Sequence, residues 1–316
     1  MKKLIRIGTR ESQLAVWQAT VVQQLLLSNG YNSELVYIKS EGDIDLQTPL
    51  YEMGVQGIFT KSLDIALLNN KIDIAVHSMK DVPTQLAKGI AEAAVLKRGS
   101  YKDILVLNDR ESSDVSRELF VDGLTPHVSR LTIATSSIRR RAQWLHRYPN
   151  TTIENLRGNV NTRLRKVAES NWHGAIFAAA GLERIGLRPS TAIDLDWMLP
   201  APAQGAIMVV ARQDDDAALA ACDHFNDTAT QLCTKIERDF LRALLGGCST
   251  PISALATIEN DTVVFKGNIV STDGTHKAAI ETTGSLHDTD LGAKAAAGIL
   301  QKGGQAIVDN IRDAAK

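Results

Sequence analysis

Ile72-Asp73-Ile74-Ala75-Val76-His77-Ser78-Met79-Lys80-Asp81-Val82-Pro83 opens as an apolar run, turns polar at His77 and ends on a proline that no regular element continues through. It reads as a buried strand delivering a polar loop. The same pattern stands upstream: Leu4 to Ile7 is a strand, Gly8 to Ser12 a short loop, and the next residues a helix with Leu14, Trp17, Val21 and Leu25 on one face. It stands twice more downstream. Leu131 to Ala134 leads through Thr135-Ser136-Ser137 into a helix carrying Arg139, Arg140, Arg141 and Trp144, and Gly174 to Ala178 enters Ala179-Ala180-Gly181-Leu182. Strands alternating with helices predict an α/β fold with mostly parallel sheets, in which ligands collect at the carboxyl ends of strands. All four loops are placed at such ends.

Farther out the text changes. From Glu41 to Gly57 a polar stretch with three glycines and Pro49 shows no period, and reads either as a mobile flap or as a tolerated surface insertion. Leu199-Pro200-Ala201-Pro202 marks a boundary, and the apolar run Ala206 to Ala211 after it is a buried strand with which the chain crosses back. Thr228 to Leu245 is a helix with Leu232, Ile236, Phe240 and Leu244 on one stripe, stopped by Gly246-Gly247. Strands at Ser253 to Thr257, Val263 to Val270 and Lys277 to Thr283, then an alanine-rich helix near Asp290 to Gln301, complete a small α+β unit.

The 316 residues suffice for two or three domains, and 44% hydrophobic against 22% charged residues is an ordinary globular balance. A net charge of −1 argues against a chain built to coat nucleic acid or an anionic membrane. Arg6, Arg10 and Glu11 interrupt any apolar signal region at the start, and no apolar run approaches the roughly 18 residues of a membrane span. Three cysteines (Cys222, Cys233, Cys248) without C-x-x-C spacing suggest neither a disulfide framework nor a metal site. The cytoplasm is the expected compartment.

The charge that matters is local. Between Ser129 and Lys166 eight arginines and one lysine face a single acid, Glu154. Arginine's planar fork grips carboxylates and phosphates with two charge-assisted hydrogen bonds. Arg139 and Arg140 follow Thr135-Ser136-Ser137, Arg157 and Arg163 flank Gly158-Asn159, and Arg10 stands beside Ser12, so hydroxyls and backbone N–H groups add to the same anion sites. Arg141, Arg147 and Arg165 read as solvated helix faces. A nucleic-acid surface is disfavoured by 5% aromatics and the lack of a recognition motif. Asp81 is either a turn former or a carboxylate in a cationic cleft, able to hold developing positive charge or trade a proton. Cys248, in Gly246-Gly247-Cys248-Ser249-Thr250-Pro251, stands on a loop and is as readily a reactive thiol as an ordinary one.

Taken together these residues resemble the porphobilinogen deaminase (hydroxymethylbilane synthase) family. The likeness runs through Ile7-Gly8-Thr9-Arg10-Glu11-Ser12, Ala75 to Pro83, Thr135-Ser136-Ser137-Ile138-Arg139-Arg140, Leu156-Arg157-Gly158-Asn159-Val160, Ala180-Gly181-Leu182-Glu183-Arg184, Leu199-Pro200-Ala201 and Gly246-Gly247-Cys248. It implies two lobes resembling type II periplasmic binding proteins, with the cleft between them, plus a small C-terminal α+β domain. The expected limits are 1–103 with 201–222 for domain 1, 104–200 for domain 2 and 223–316 for domain 3. It implies a transferase joining four porphobilinogen molecules head to tail with loss of ammonia. A dipyrromethane cofactor is expected on the sulfur of Cys248, with Asp81 and Lys80 as catalytic residues. The expected binding set is Arg10, Ser12, Lys61, Ser78, Lys80, Ser136, Ser137, Arg139, Arg140, Arg157, Arg163, Arg184 and Gln204. No metal, nucleic acid or membrane partner is expected, and the chain is expected to be a monomer. The chain departs from the family pattern where Ala134, Asn161 and Ala203 replace glycines; each is tolerable only at negative φ or, for Asn161, within asparagine's left-handed tolerance. The rival from another class is a two-lobed anion-binding protein without chemistry.

Overall fold

The structure is a computed structural model that describes residues 4–39, 60–108, 131–244 and 250–314. The segment 41–57 and the loop Gly246-Gly247-Cys248 lie outside the described residues. Strands β1 (Ile5–Thr9), β2 (Ser33–Tyr37), β3 (Ile74–Ser78), β4 (Ile90–Val95) and β10 (Ile207–Arg212) form one sheet in the order β2-β1-β3-β10-β4. β1 is parallel to β2 and β3, with Ile7 opposite Leu35 and Ile74, whereas β10 is antiparallel to both its neighbours. Four strands therefore run one way and only β10 is reversed. A second sheet, β7 (Thr152–Glu154), β6 (Thr132–Ala134), β8 (Gly174–Ala178), β5 (Asp103–Leu107) and β9 (Ile193–Asp194) in that order, repeats the plan with β5 reversed. In each sheet the reversed strand is the one by which the chain arrives from the other lobe. The expected α/β fold of mostly parallel sheets in two lobes is thus present.

Each sheet is covered on both faces, which is why its strands are nearly continuous apolar runs. Helix α1 (Gln13–Ser28) starts at Ser12, whose hydroxyl accepts from Ala15 N at 3.4 Å. Its buried stripe is Ala15, Gln18, Ala19, Val22 and Leu26, not the expected Leu14, Trp17, Val21 and Leu25. The helical period holds, and the buried face lies one residue farther along the chain. Small Ala15 and Ala19 bring the helix close to the sheet, while Leu14 and Trp17 turn toward the second lobe.

The third unit is the antiparallel meander β11 (Ile252–Glu259), β12 (Thr262–Val270) and β13 (Lys277–Ser285), with α7 (Thr228–Leu244) and α8 (Leu291–Ile299) packed on it. Ile236, Phe240 and Leu244 are buried as the helical stripe requires, and the Phe240 and Phe265 rings lie 5.1 Å apart. The other α-helices of the described residues are α2 (Lys61–Leu68), α3 (Ile138–Arg147), α4 (Val160–Glu169), α5 (Ala179–Glu183), α6 (Asp216–Asp223) and α9 (Gln305–Ala314).

Two segments join the lobes, 96–102 and 195–206. They lie side by side: Gly99 N donates to Gly205 O at 3.0 Å and Arg98 Nε to Gln204 O at 2.9 Å. Gly205 has φ 87°, and a β-carbon there would stand 2.6 Å from Ser100 O, so only glycine permits this approach. Ala203 overturns the expectation about its backbone, for its φ is +61°. Its methyl is fully buried among apolar side chains, and its N–H is held by Glu237 Oε2 at 2.6 Å. The left-handed geometry costs an alanine about 1–2 kcal/mol, while burial of one methyl returns about 0.8 kcal/mol and a stiffer unfolded chain about 0.4–1 kcal/mol. Ala203→Gly is accordingly expected to leave unfolding free energy within about 1 kcal/mol of the parent in denaturant titration; a larger loss would show that the methyl does more than offset strain. Ala134, in β6, and Asn161, in α4, are absent from the described residues with positive φ.

Candidate active site

The carboxyl ends of the two parallel-strand sets face each other. α1 meets the second lobe through Asn161 Nδ2, which donates to Gln13 Oε1 at 2.9 Å, and through Arg184, whose guanidinium lies 5.8 Å from the Trp17 ring centroid. Between them β3 ends at Ser78, and one turn of 3-10 helix, Met79–Asp81, follows. Met79 is buried in the core of the first lobe, which anchors the turn and sends its neighbours Lys80 and Asp81 elsewhere. Ser78 Oγ is held by Gln18 Nε2 at 2.9 Å.

Lys80 Nζ donates to Gln204 Oε1 at 3.4 Å, and Gln204 Nε2 donates to Asp103 Oδ1 at 3.0 Å. Asp103 is fully buried at the start of β5. Its Oδ1 accepts from Arg140 Nε at 3.0 Å and Nη2 at 2.7 Å, and its Oδ2 pairs with Arg139 Nη1 at 2.7 Å. A continuous polar chain thus runs from Lys80 through Gln204 to Asp103 and the two arginines. Burial lowers the Lys80 ammonium to about 8, with Asp81 opposing and Arg140 assisting. Burial would raise Asp103, yet Arg139 and Arg140 more than compensate and hold it at about 2.

Arg163 donates from Nε to Gly158 O at 2.7 Å. Burial first, then the charges of Arg140 and Arg157, hold it down to about 10, with Asp81 pulling the other way. Asp81, Lys80, Arg140, Arg157 and Arg163 therefore share one electrostatic neighbourhood, in which Arg140 and Arg157 are buried and Lys80, Asp81 and Arg163 half-buried. Arg184 donates to Gly205 O at 2.6 Å, and burial lowers it to about 10. Ser137 caps α3 by accepting from Arg140 N, and Ser136 Oγ is bound to Leu156 O at 2.5 Å. Arg157 is buried, Arg10 half-buried after β1, and Lys61 exposed at the first position of α2. Arg141, Arg147 and Arg165 are exposed, as solvated faces require.

The arrangement brings Arg139, Arg140, Lys80 and Gln204 together through named contacts, with Arg163 near enough to feel the charges of Arg140 and Asp81. It gives Ser12 and Ser137 capping bonds. Residues that the sequence reading left out are as prominent: Asp103 ties the second lobe to the joining segment at Gln204, and Arg98, Glu237 and Arg238 tie the first lobe and that segment to the third unit.

The description "Porphobilinogen deaminase, dipyromethane cofactor binding domain" matches residues 5–220, and "Porphobilinogen deaminase, C-terminal domain" matches residues 231–301. The chain belongs to the porphobilinogen deaminase family. Porphobilinogen deaminase of Acidithiobacillus ferrooxidans is 38% identical over 99% of this chain and 100% of its own length. The probable porphobilinogen deaminase of Methanocaldococcus jannaschii is 40% identical over 91% and 95%, and that of Syntrophotalea carbinolica 42% over 85% and 84%. Solved structures such as the methionine-binding protein MetQ, 15% identical over 69% of this chain and 89% of that one with a TM-score of 0.40, are too distant to add to this. Membership makes the chain a transferase of tetrapyrrole synthesis that forms hydroxymethylbilane from porphobilinogen. Its first 220 residues contain a dipyrromethane-binding domain. Among the described residues no helix is long and apolar enough to cross a membrane.

Proposed function

We propose that Lys80, Asp81 and the arginines between the lobes carry out this condensation, with the dipyrromethane held as a thioether on Cys248. The observation that carries the reading is the polar chain Lys80–Gln204–Asp103–Arg139/Arg140, with the half-buried Asp81 next to Lys80 and within reach of the charge of Arg163. The donor set suits the group: each pyrrole bears an acetate and a propionate, and the Arg163 guanidinium, lowered by burial and by neighbouring arginines, marks a site that gains from added carboxylates. When bound, the dipyrromethane supplies the primer to which substrate units are joined.

The chain's own residues do the rest. Lys80 and Arg163 bind and orient carboxylates, Arg184 and Arg10 extend the cationic wall, and Arg139 and Arg140, neutralised in part by Asp103, keep the wall rigid. Asp81 faces the positive charge that develops on the substrate carbon as ammonia leaves, and stabilises it electrostatically. Removing that anion without changing shape should slow turnover at least about 10²-fold, so Asp81→Asn is expected to keep its cofactor and lose activity by that factor. Near-parental turnover would reduce Asp81 to a turn former.

The direct test is intact mass. Purified protein should exceed the polypeptide mass by one dipyrromethane, and Cys248→Ser should not; bare mass in wild-type protein that turns over no porphobilinogen would favour the two-lobed binding protein, and bare mass in active protein would overturn attachment at Cys248. On the same reading the chain works as a monomer, supported by a polar chain from Lys80 to Arg140 that lies within one chain, and in the cytoplasm; sedimentation tests the first and cell fractionation the second.

Lys80 gives a pH prediction. In cofactor-free protein it should react with acetic anhydride with a midpoint about 8 rather than the ordinary 10.5, and bound carboxylates should move the midpoint upward. Since its folded value lies below the unfolded one, the unfolded chain holds more protons between about 8 and 10.5, and stability gains from this group as pH rises through that window. A midpoint near 10.5 would mean that Lys80 is hydrated.

A further inference from the structure

The turn that presents Lys80 and Asp81 is too short to satisfy itself. Within Met79–Asp81 and its flanks, Val82 N donates to Met79 O at 3.1 Å, and Pro83 has no N–H to offer. The carbonyls of Val82 and Pro83 point instead at the third unit, where one guanidinium collects them. Arg238 Nη1 donates to Val82 O at 2.9 Å and to Met79 O at 3.4 Å, and its Nη2 donates to Pro83 O at 2.6 Å. A planar fork with fixed donor directions suits three carbonyls of one turn, as an ammonium does not.

Arg238 lies in the middle of α7. Its neighbour Glu237 is fully buried and fixes the same helix to both lobe-joining segments and to β11: Arg98 Nη1 at 2.6 Å, Ala203 N at 2.6 Å and Ala256 N at 2.8 Å. The helix ends at Leu244, and Cys248 follows four positions later in the sequence. Helix α7 therefore grips the lobe junction and the Lys80–Asp81 turn at adjacent residues, and then runs into the segment that carries the cysteine.

We propose that Arg238 is a positioning residue for the reaction, holding the turn with Lys80 and Asp81 in register with the helix that leads to Cys248. It deepens the functional reading above and rests on the roles given there to Lys80, Asp81 and Cys248. The bonds of Arg238 described above go to backbone carbonyls of the turn and not to the side chains of Lys80 or Asp81. A displacement of about 1 Å in such a turn is enough to cost on the order of 10²-fold in rate.

The test uses Arg238→Lys and Arg238→Gln in the full chain, with Arg242→Ala as control; Arg242 is an exposed residue of the same helix that pairs with Asp239. Cofactor loading is measured first by intact mass, and rates are expressed per loaded enzyme. Both Arg238 variants should lose about 10- to 10²-fold in kcat with KM changed less than about threefold, because the turn is misplaced and not the carboxylate-binding wall. In cofactor-free protein the Lys80 acylation midpoint should also rise in both variants as the loosened turn admits water, while Arg242→Ala matches the parent in both readouts. Parental kcat and an unmoved Lys80 midpoint, with only a lowered melting temperature, would overturn the proposal and leave Arg238 as glue between units. Should one variant not accumulate in folded form, the other and the cofactor-free midpoint decide. If Asp81→Asn proves fully active while Arg238→Lys still shifts the Lys80 midpoint, the clamp stands and the assignment of Asp81 fails.

Discussion

Glu237→Ala is expected to lower the unfolding free energy by about 3–5 kcal/mol, the range for breaking a buried ion pair from one side. The carboxylate has no exposure, and Arg98 opposite it keeps only 11% of its side-chain surface in water. Truncation leaves that guanidinium without its counter-charge and also strands the N–H groups of Ala203 and Ala256, both buried. The double variant Arg98→Met with Glu237→Leu should recover only part of the loss: the charge imbalance is gone, but the two backbone donors still lack an acceptor. Urea titration of the three proteins measures this. A loss under 1 kcal/mol for Glu237→Ala would mean that water reaches the junction.

Asp103→Asn should be comparably severe, for one neutral amide then faces two buried guanidiniums and the Gln204 amide. Its pH dependence identifies the cause. Arg139 and Arg140 hold the Asp103 carboxyl at about 2, below the ordinary 3.8 of an unfolded chain. The stabilisation it provides is therefore complete above about pH 4 and is lost as pH falls through about 2. Parent and variant should differ by about 3–5 kcal/mol near neutrality, and the gap should narrow by about 2 kcal/mol as pH falls from about 4 to below about 2. A gap that stays constant across that window would show that shape, not charge, was removed.

The strand, loop and helix units at 4–28, 72–83, 131–147 and 174–183 were legible because apolar runs and helical periods are local signals. So was the returning strand after Pro202. The three-residue strand β7 and the two-residue β9 carry too little sequence to announce themselves. Neighbouring residues marked Arg139 and Arg140 as anion binders, yet their anion in this structure is Asp103, which opens an apolar strand far away in sequence and has no local signature. Glu237 did leave a trace. It falls on the buried stripe of α7 between Cys233 and Leu241, four residues from each, where a charge demands a partner. Its partners, Arg98 and two backbone amides, are set by tertiary approach and could not be named from the sequence.

The order of strands in the first sheet has a consequence for how the protein is made. β10 sits between β3 and β4, which do not pair with each other, and the whole second sheet is encoded between β4 and β10. On the ribosome the second lobe has all its strands once Asp194 has emerged, whereas the first, though begun earlier, must keep two strand edges open until Arg212 is out. Open edges are where nascent chains pair wrongly. The lobe that starts translation is thus the later to close, and the interval in which it needs protection is the time taken to synthesise its neighbour.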